Sequence, residues 1–260
     1  MTDSHNASSG GVPLMEIAAF VNDYLRISDY SDASMNGLQV QGERDRVSRI
    51  VTGVTANVAL FEAARQRNAD LVMTHHGLYW KGADPRLTGV LGQRVRALSG
   101  MSLMAWHLPL DGHPELGNNA LLAKMLGARN AGYLSGSYGS ITVIGEFENP
   151  VSAEQIRSII IRDLGREPFI MGPQNHPIRK IAICSGGGGF VLGEDLPPDT
   201  DAVFTGEVQE HHYHLAVERG ITAFVAGHHA TERCGIRALG EFIARHFGIE
   251  AEFADIPSPL

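Results

Sequence analysis

Cysteine is nearly missing from this sequence: Cys184 and Cys234 are the only two among 260 residues. They lie far apart and form no paired spacing, which excludes a disulfide framework and a zinc site built on cysteines. Such usage fits a reducing compartment, and the expectation is a cytoplasmic protein. Long hydrophobic runs are missing too. No window approaches the ~18 uninterrupted apolar residues of a membrane span, so no membrane is expected as a partner. The first 12 residues lack a basic region followed by an apolar core. They read as a short disordered tail rather than a secretory signal. Positive charge is also scarce. The 21 Lys and Arg against 29 Asp and Glu leave a net charge of −8. With no basic stripe, the balance argues against nucleic acid as a partner.

What is present is an alternation of helical and strand patterns. Leu14, Ile17, Ala18, Val21 and Leu25 repeat at helical spacing, and Pro13 suits the first turn. Residues 37–41 alternate like a short edge strand. Residues 50–55 and 69–74 read as buried strands around a helix over 59–67. A helix over 89–98 leads to a strand over 101–107 and a loop over 108–114. Asn118 or Asn119 can cap a helix over 120–126. The chain turns rich in Gly and Ser around 131–140. Beyond it come strands over 141–147, 178–184, 202–205 and 221–226. Helices are expected over 153–164, 208–219 and 231–246. The expected fold is α/β, in two similar α/β domains, residues 13–135 and 136–260, with a metal-containing cleft between them.

Histidine is the residue in surplus: 12 occur, and most cluster. Residues 63–77 and 216–230 both run from a helix end through an apolar strand to a His-His pair, His75-His76 and His228-His229. The match suggests an internal duplication. Ligands in open α/β sheets bind at the carboxyl ends of strands, so two such ends facing each other bring the histidines into one cleft. His228 and Glu232, four apart, can share one helical face. Asp111 follows another strand end. His75, His76, Asp111, His228 and Glu232 thus form a candidate two-metal site. Imidazole and carboxylate suit zinc, iron, manganese or nickel. A carboxylate can bridge two divalent ions, as in two-metal hydrolytic sites. Two such ions carry more positive charge than two carboxylates return, and the excess attracts an anionic small molecule.

Two further residues are catalytic candidates. His107 is either a sixth ligand or a group supporting the ligands from behind, the second being favoured. Glu207, in Thr205-Gly206-Glu207, is either a general acid–base group or a carboxylate at a helix start. The run from Ser185 to Gly189 lacks the spacing of a phosphate loop or a dinucleotide fingerprint and reads as a flexible turn.

Four stretches carry a family resemblance: Asn36-Gly37-Leu38-Gln39-Val40; Thr74-His75-His76-Gly77-Leu78-Tyr79-Trp80; His107-Leu108-Pro109-Leu110-Asp111 with His113-Pro114-Glu115-Leu116-Gly117-Asn118-Asn119; and Gly227-His228-His229-Ala230-Thr231-Glu232 with Gly235-Ile236-Arg237-Ala238-Leu239. In these the chain resembles the YbgI-like, or Nif-three-like, proteins known as GTP cyclohydrolase 1 type 2 homologs. The resemblance implies a dinuclear centre on His75, His76, Asp111, His228 and Glu232, between two α/β domains. It implies a toroidal homohexamer with the sites facing an interior cavity. It also implies a metal-dependent hydrolase that opens the imidazole ring of GTP or acts on a similar small phosphorylated molecule. The alternative is a non-enzymatic metal-binding or regulatory interaction protein.

Overall fold

A computed structural model describes residues 11–135 and 141–260. Of the expected tail, residues 1–10 lie outside the described residues, as do residues 136–140 of the expected Gly- and Ser-rich boundary. Gly11 and Val12 are placed. The short strand β1 (Val12–Pro13) pairs antiparallel with residues 46–47, so Val12, counted above with the tail, lies in a strand.

Amphipathic spacing sets the first elements. In α1 (Leu14–Tyr24) the residues Leu14, Ile17, Ala18 and Val21 are buried, as their period requires. Then come β2 (Gly37–Val40), β3 (Arg46–Val47) and β4 (Arg49–Thr55). Asn57 caps α2 (Val58–Gln66) by accepting from the Leu60 N–H at 2.9 Å. After it come β5 (Leu71–His76), α3 (Gly89–Ala97), β6 (Ser102–Ala105), the short α4 (Leu108–Gly112) and α5 (Asn118–Leu126). The remainder holds β7 (Arg129–Tyr133), β8 (Val143–Val151), α6 (Ala153–Leu164), β9 (Phe169–Met171), β10 (Ile178–Cys184), β11 (Ala202–Thr205), α7 (Glu210–Arg219), β12 (Thr222–Val225), α8 (His228–Thr231), α9 (Arg233–Phe247) and β13 (Glu250–Phe253).

Two main sheets result. The first has the order β13-β4-β5-β6-β2, with β13, β4, β5 and β6 parallel and β2 antiparallel at the edge. The second has the order β7-β8-β10-β11-β12-β9, with a parallel centre of β10, β11 and β12. Apolar clusters cover both faces of each sheet, as burial of parallel strands demands.

Sheet membership does not follow the expected division at residue 135. α5 gives Leu122, Ala123 and Leu126 to the core of the second sheet, and β7 joins that sheet's edge. Later, α9 gives Ile236, Leu239 and Ile243 to the core of the first sheet, and β13 pairs with β4. The chain therefore crosses between the halves twice, once after α4 and once at the junction of α8 and α9.

Candidate metal centre

Both crossings border the site. β5 carries His75 and His76 as its last two residues. The expected strand stops at residue 74, but β4 holds the pairing one step past His75, with Thr55 opposite His76, while β6 stops at Ala105 opposite Thr74. A strand end supported on one side only is free to twist, and the two rings lie with centroids 4.6 Å apart rather than on opposite faces.

Asp111 does not sit in a loop, as the sequence suggests, but in α4. Pro109 occupies the first turn of that helix. Asp111 is buried, and its Oδ1 accepts from Asn118 Nδ2 at 2.9 Å and Ser185 Oγ at 3.0 Å. His228 opens α8, and Glu232 falls at the α8–α9 junction. The four-residue spacing brings His228 Nε2 to 3.2 Å from Glu232 Oε1.

The five expected residues converge. His75 Nε2 is 3.5 Å from Asp111 Oδ1 and 3.4 Å from Glu232 Oε1, while His76 Nε2 is 3.4 Å from Glu232 Oε2. Glu232 is the common member, facing all three imidazoles. Three overlapping groups have donor atoms within 4.8 Å of one another: His75, Asp111 and Glu232; His76, His228 and Glu232; and His75, His76 and His107. Glu207 lies beside the cluster, half-exposed, with Oε1 3.3 Å from His228 Nδ1. His113, His211, His212, His214 and His229 belong to none of these groups. His229 pairs instead with Asp255 at 2.8 Å, and His214 with Glu210 at 3.1 Å.

Burial and charge compete at each group. Burial opposes a proton on His75, but Asp111 and Glu232 outweigh it and raise the ring to about 9. His228 is likewise raised to about 9 by Glu232 and Glu207 against the pull of burial. For His76 burial wins, and the ring falls to about 3. Burial works against the Glu232 carboxylate, yet the histidines hold it well below the usual range. Cys184 and Cys234 are pushed up to about 12 by burial, which keeps both as neutral thiols.

The donor set fits a metal ion. His75 Nε2 and Glu232 Oε2 are buried without a hydrogen-bond partner among the described residues. Burying unsatisfied polar atoms costs roughly 1–3 kcal/mol each, and a cation bound between them removes that cost. The ligand types, imidazole and carboxylate without thiolate, are those of divalent transition metals.

Several contributors escaped the sequence reading. Asn118 is no cap: its Oδ1 accepts from Gly235 N at 2.8 Å while its amide holds Asp111. Asn119 accepts from Ser185 N at 2.7 Å. Nor is the glycine run a slack turn. Gly186 has φ +54°, and a Cβ there would lie 2.0 Å from Glu232 Oε1. A cavity of about 540 Å³ opens beside the cluster, lined by Asp111, His228 and Glu232, by Leu108, Ile141 and Phe190, and by Lys81.

Fold and site together define a class: a two-sheet α/β protein whose chain crossings hold a histidine–carboxylate cluster fit for metal. The chain belongs to the Duf34/NIF3 (NGG1p interacting factor 3) family, whose sequence model matches residues 12–259. A Haemophilus influenzae protein named GTP cyclohydrolase 1 type 2 homolog is 44% identical over 250 residues, spanning 94% of this chain and 98% of that protein. An Escherichia coli K12 protein of the same name is 41% identical over 247 residues, spanning 94% and 98%. The solved structure of protein ybgI, of unknown function, superposes with TM-score 0.89 at 40% identity, covering 96% of this chain and all 100% of that one. That of a Thermus thermophilus protein gives 0.86 at 31% identity, covering 96% and 100%. Among the described residues no helix is long and apolar enough to cross a membrane.

Proposed function

We propose that the protein binds two divalent metal ions through His75, His76, Asp111, His228 and Glu232, and hydrolyses a small phosphorylated or nucleotide-like substrate. The observation that carries this reading is the buried, unpartnered pair of atoms His75 Nε2 and Glu232 Oε2 at the centre of five converging donors. Bound divalent metals supply a water nucleophile ionised near neutral pH and polarise the bond under attack. The chain's own groups do the rest. Asn118 and Ser185 fix Asp111. Leu108, Ile141 and Phe190 offer an apolar wall, and Lys81 a cation for an anionic group. Glu207, exposed beside His228, takes the general acid–base role. The relatives' shared name makes GTP the first substrate to try.

The open cavity favours catalysis over a purely structural or regulatory metal site, because structural centres close their coordination shell. Assembly into a homohexamer belongs to the same reading. Exposed Met15, Leu87, Val90 and Phe169 offer apolar contact surface for it. The deciding experiment is elemental analysis of the purified protein together with a nucleotide and phosphoester hydrolysis screen. Asp111→Ala and Glu232→Ala are expected to lose metal and hydrolysis together. Hydrolysis that survives in the metal-free variants would rule the mechanism out.

A further inference from the structure

The three proposed ligand histidines share one device: Nδ1 faces an oxygen behind the ring, which leaves Nε2 for the centre. His75 Nδ1 donates to the Trp106 carbonyl at 3.0 Å, His76 Nδ1 meets Thr55 Oγ1 at 3.2 Å, and His228 Nδ1 faces Glu207 at 3.3 Å. A fourth histidine is built the same way. His107 Nδ1 donates to Asp32 Oδ1 at 2.9 Å. Its ring centroid lies 5.1 Å from that of His75 and 5.5 Å from that of His76, and a ring nitrogen of each falls within 4.8 Å of the other two.

Asp32 is itself strongly fixed. It is buried, and besides His107 it accepts from Ser34 N at 2.9 Å, Leu108 N at 2.9 Å and Asn36 Nδ2 at 3.0 Å. Asn36 closes the frame by accepting from the His107 N–H at 2.8 Å. A fixed carboxylate behind a histidine sets the tautomer and strengthens the other nitrogen as a donor. The motif that begins at Asn36 thereby acquires a task, since it contributes to the frame behind His107.

We propose that Asp32 is a positioning residue of the metal centre and that, through it, His107 serves as a sixth donor beside His75 and His76. The proposal rests on the metal-binding reading above. His107 lines the cavity while His75 is fully buried, so this donor stands on the open side of the centre. A merely structural Asp32 would tie residues 31–36 to β6 and α4 and leave the coordination of the metal unchanged.

The test uses the full chain stripped of metal and titrated with cobalt(II), whose visible spectrum reports the coordinating atoms. Wild type, His107→Ala and Asp32→Asn are compared by cobalt content, spectrum and affinity, with thermal unfolding of the metal-free proteins as the control. His107→Ala is expected to shift the cobalt bands and weaken binding at least tenfold. Asp32→Asn should weaken it roughly 10–100-fold, the effect of removing an outer partner of a ligand. A wild type that binds cobalt together with a His107→Ala variant of identical spectrum and affinity overturns the proposal and spares the five-ligand centre. A wild type that takes up no cobalt overturns the metal reading and the proposal with it. If Asp32→Asn does not fold, the His107→Ala comparison decides alone.

Discussion

Gly186 leaves no space for even a methyl group, since its Cβ would press on Glu232 at 2.0 Å and reach His228 Nε2 at 3.0 Å. Its left-handed φ adds backbone strain for any other residue. Gly186→Ala is therefore expected to weaken metal binding at least tenfold, about 1.4 kcal/mol. Gly187→Ala meets only Glu207 at 3.9 Å and should leave affinity nearly unchanged; calorimetric titration of both variants compares them. Proton linkage gives a second prediction. Carboxylates keep His75 and His228 protonated up to about 9, and a metal needs both rings neutral. Binding at pH 7 should release protons, and affinity should climb as pH approaches 9. Binding heats that do not change with the ionisation enthalpy of the buffer would contradict this. Metal-free stability runs the other way: the two protonated rings stabilise the fold below their unfolded value near ~6.5, and that contribution is lost as pH rises through 9. The five converging residues were legible because their types and spacing carry chemistry. Asn118 was not, because an asparagine at a helix start looks the same whether it caps the helix or reaches across to Asp111 and Gly235.

Elements with strong periodicity read correctly, and those shaped by neighbours did not. α6 shows both signals, with buried Ala153, Ile156 and Ile160 behind a capping box in which Ser152 and Gln155 exchange hydrogen bonds. Ser152→Ala should lower stability by about 1 kcal/mol and the melting temperature by roughly 2–4 °C. Metal content should not change, because α6 contributes no donor. β7, β9 and β13 are short strands, and the sequence reading passed over all three. β13, Glu250–Phe253, has alternating exposure and, among the described residues, pairs only with β4. Nothing local distinguishes such a segment from a loop; the partner strand decides. The site lost detail for the same reason. β5 runs through both histidines because β4 continues beside it. α4 forms where a Pro-bounded loop was expected, because the Asp111 and Leu110 amides find the His107 carbonyl at 3.1 and 2.8 Å.

At the scale of the molecule, the α/β class follows from the alternation of patterns, whereas the exchange of segments between halves does not. A local pattern states that a helix has an apolar face, not which sheet covers it. α5 and α9 pack against each other between the halves, and the site takes residues from β5 and α4 on one side and from the α8–α9 junction on the other. The described fold should unfold in one calorimetric transition. A divalent metal at a hundred times its dissociation constant should add about 2.7 kcal/mol of stability, and a chelator should remove it. Two separated transitions would show that the exchange does not couple the halves. The returning strand also bears on the making of the protein. On the ribosome, folding proceeds from the N-terminus, but β4, paired with β5 on one side, lacks a partner on its other edge until residues 250–253 have been made. Until then the first sheet has an open apolar flank, the kind of edge that recruits a strand from another chain. The nascent chain is thus most prone to mispairing until β13 is made, and that strand closes the edge.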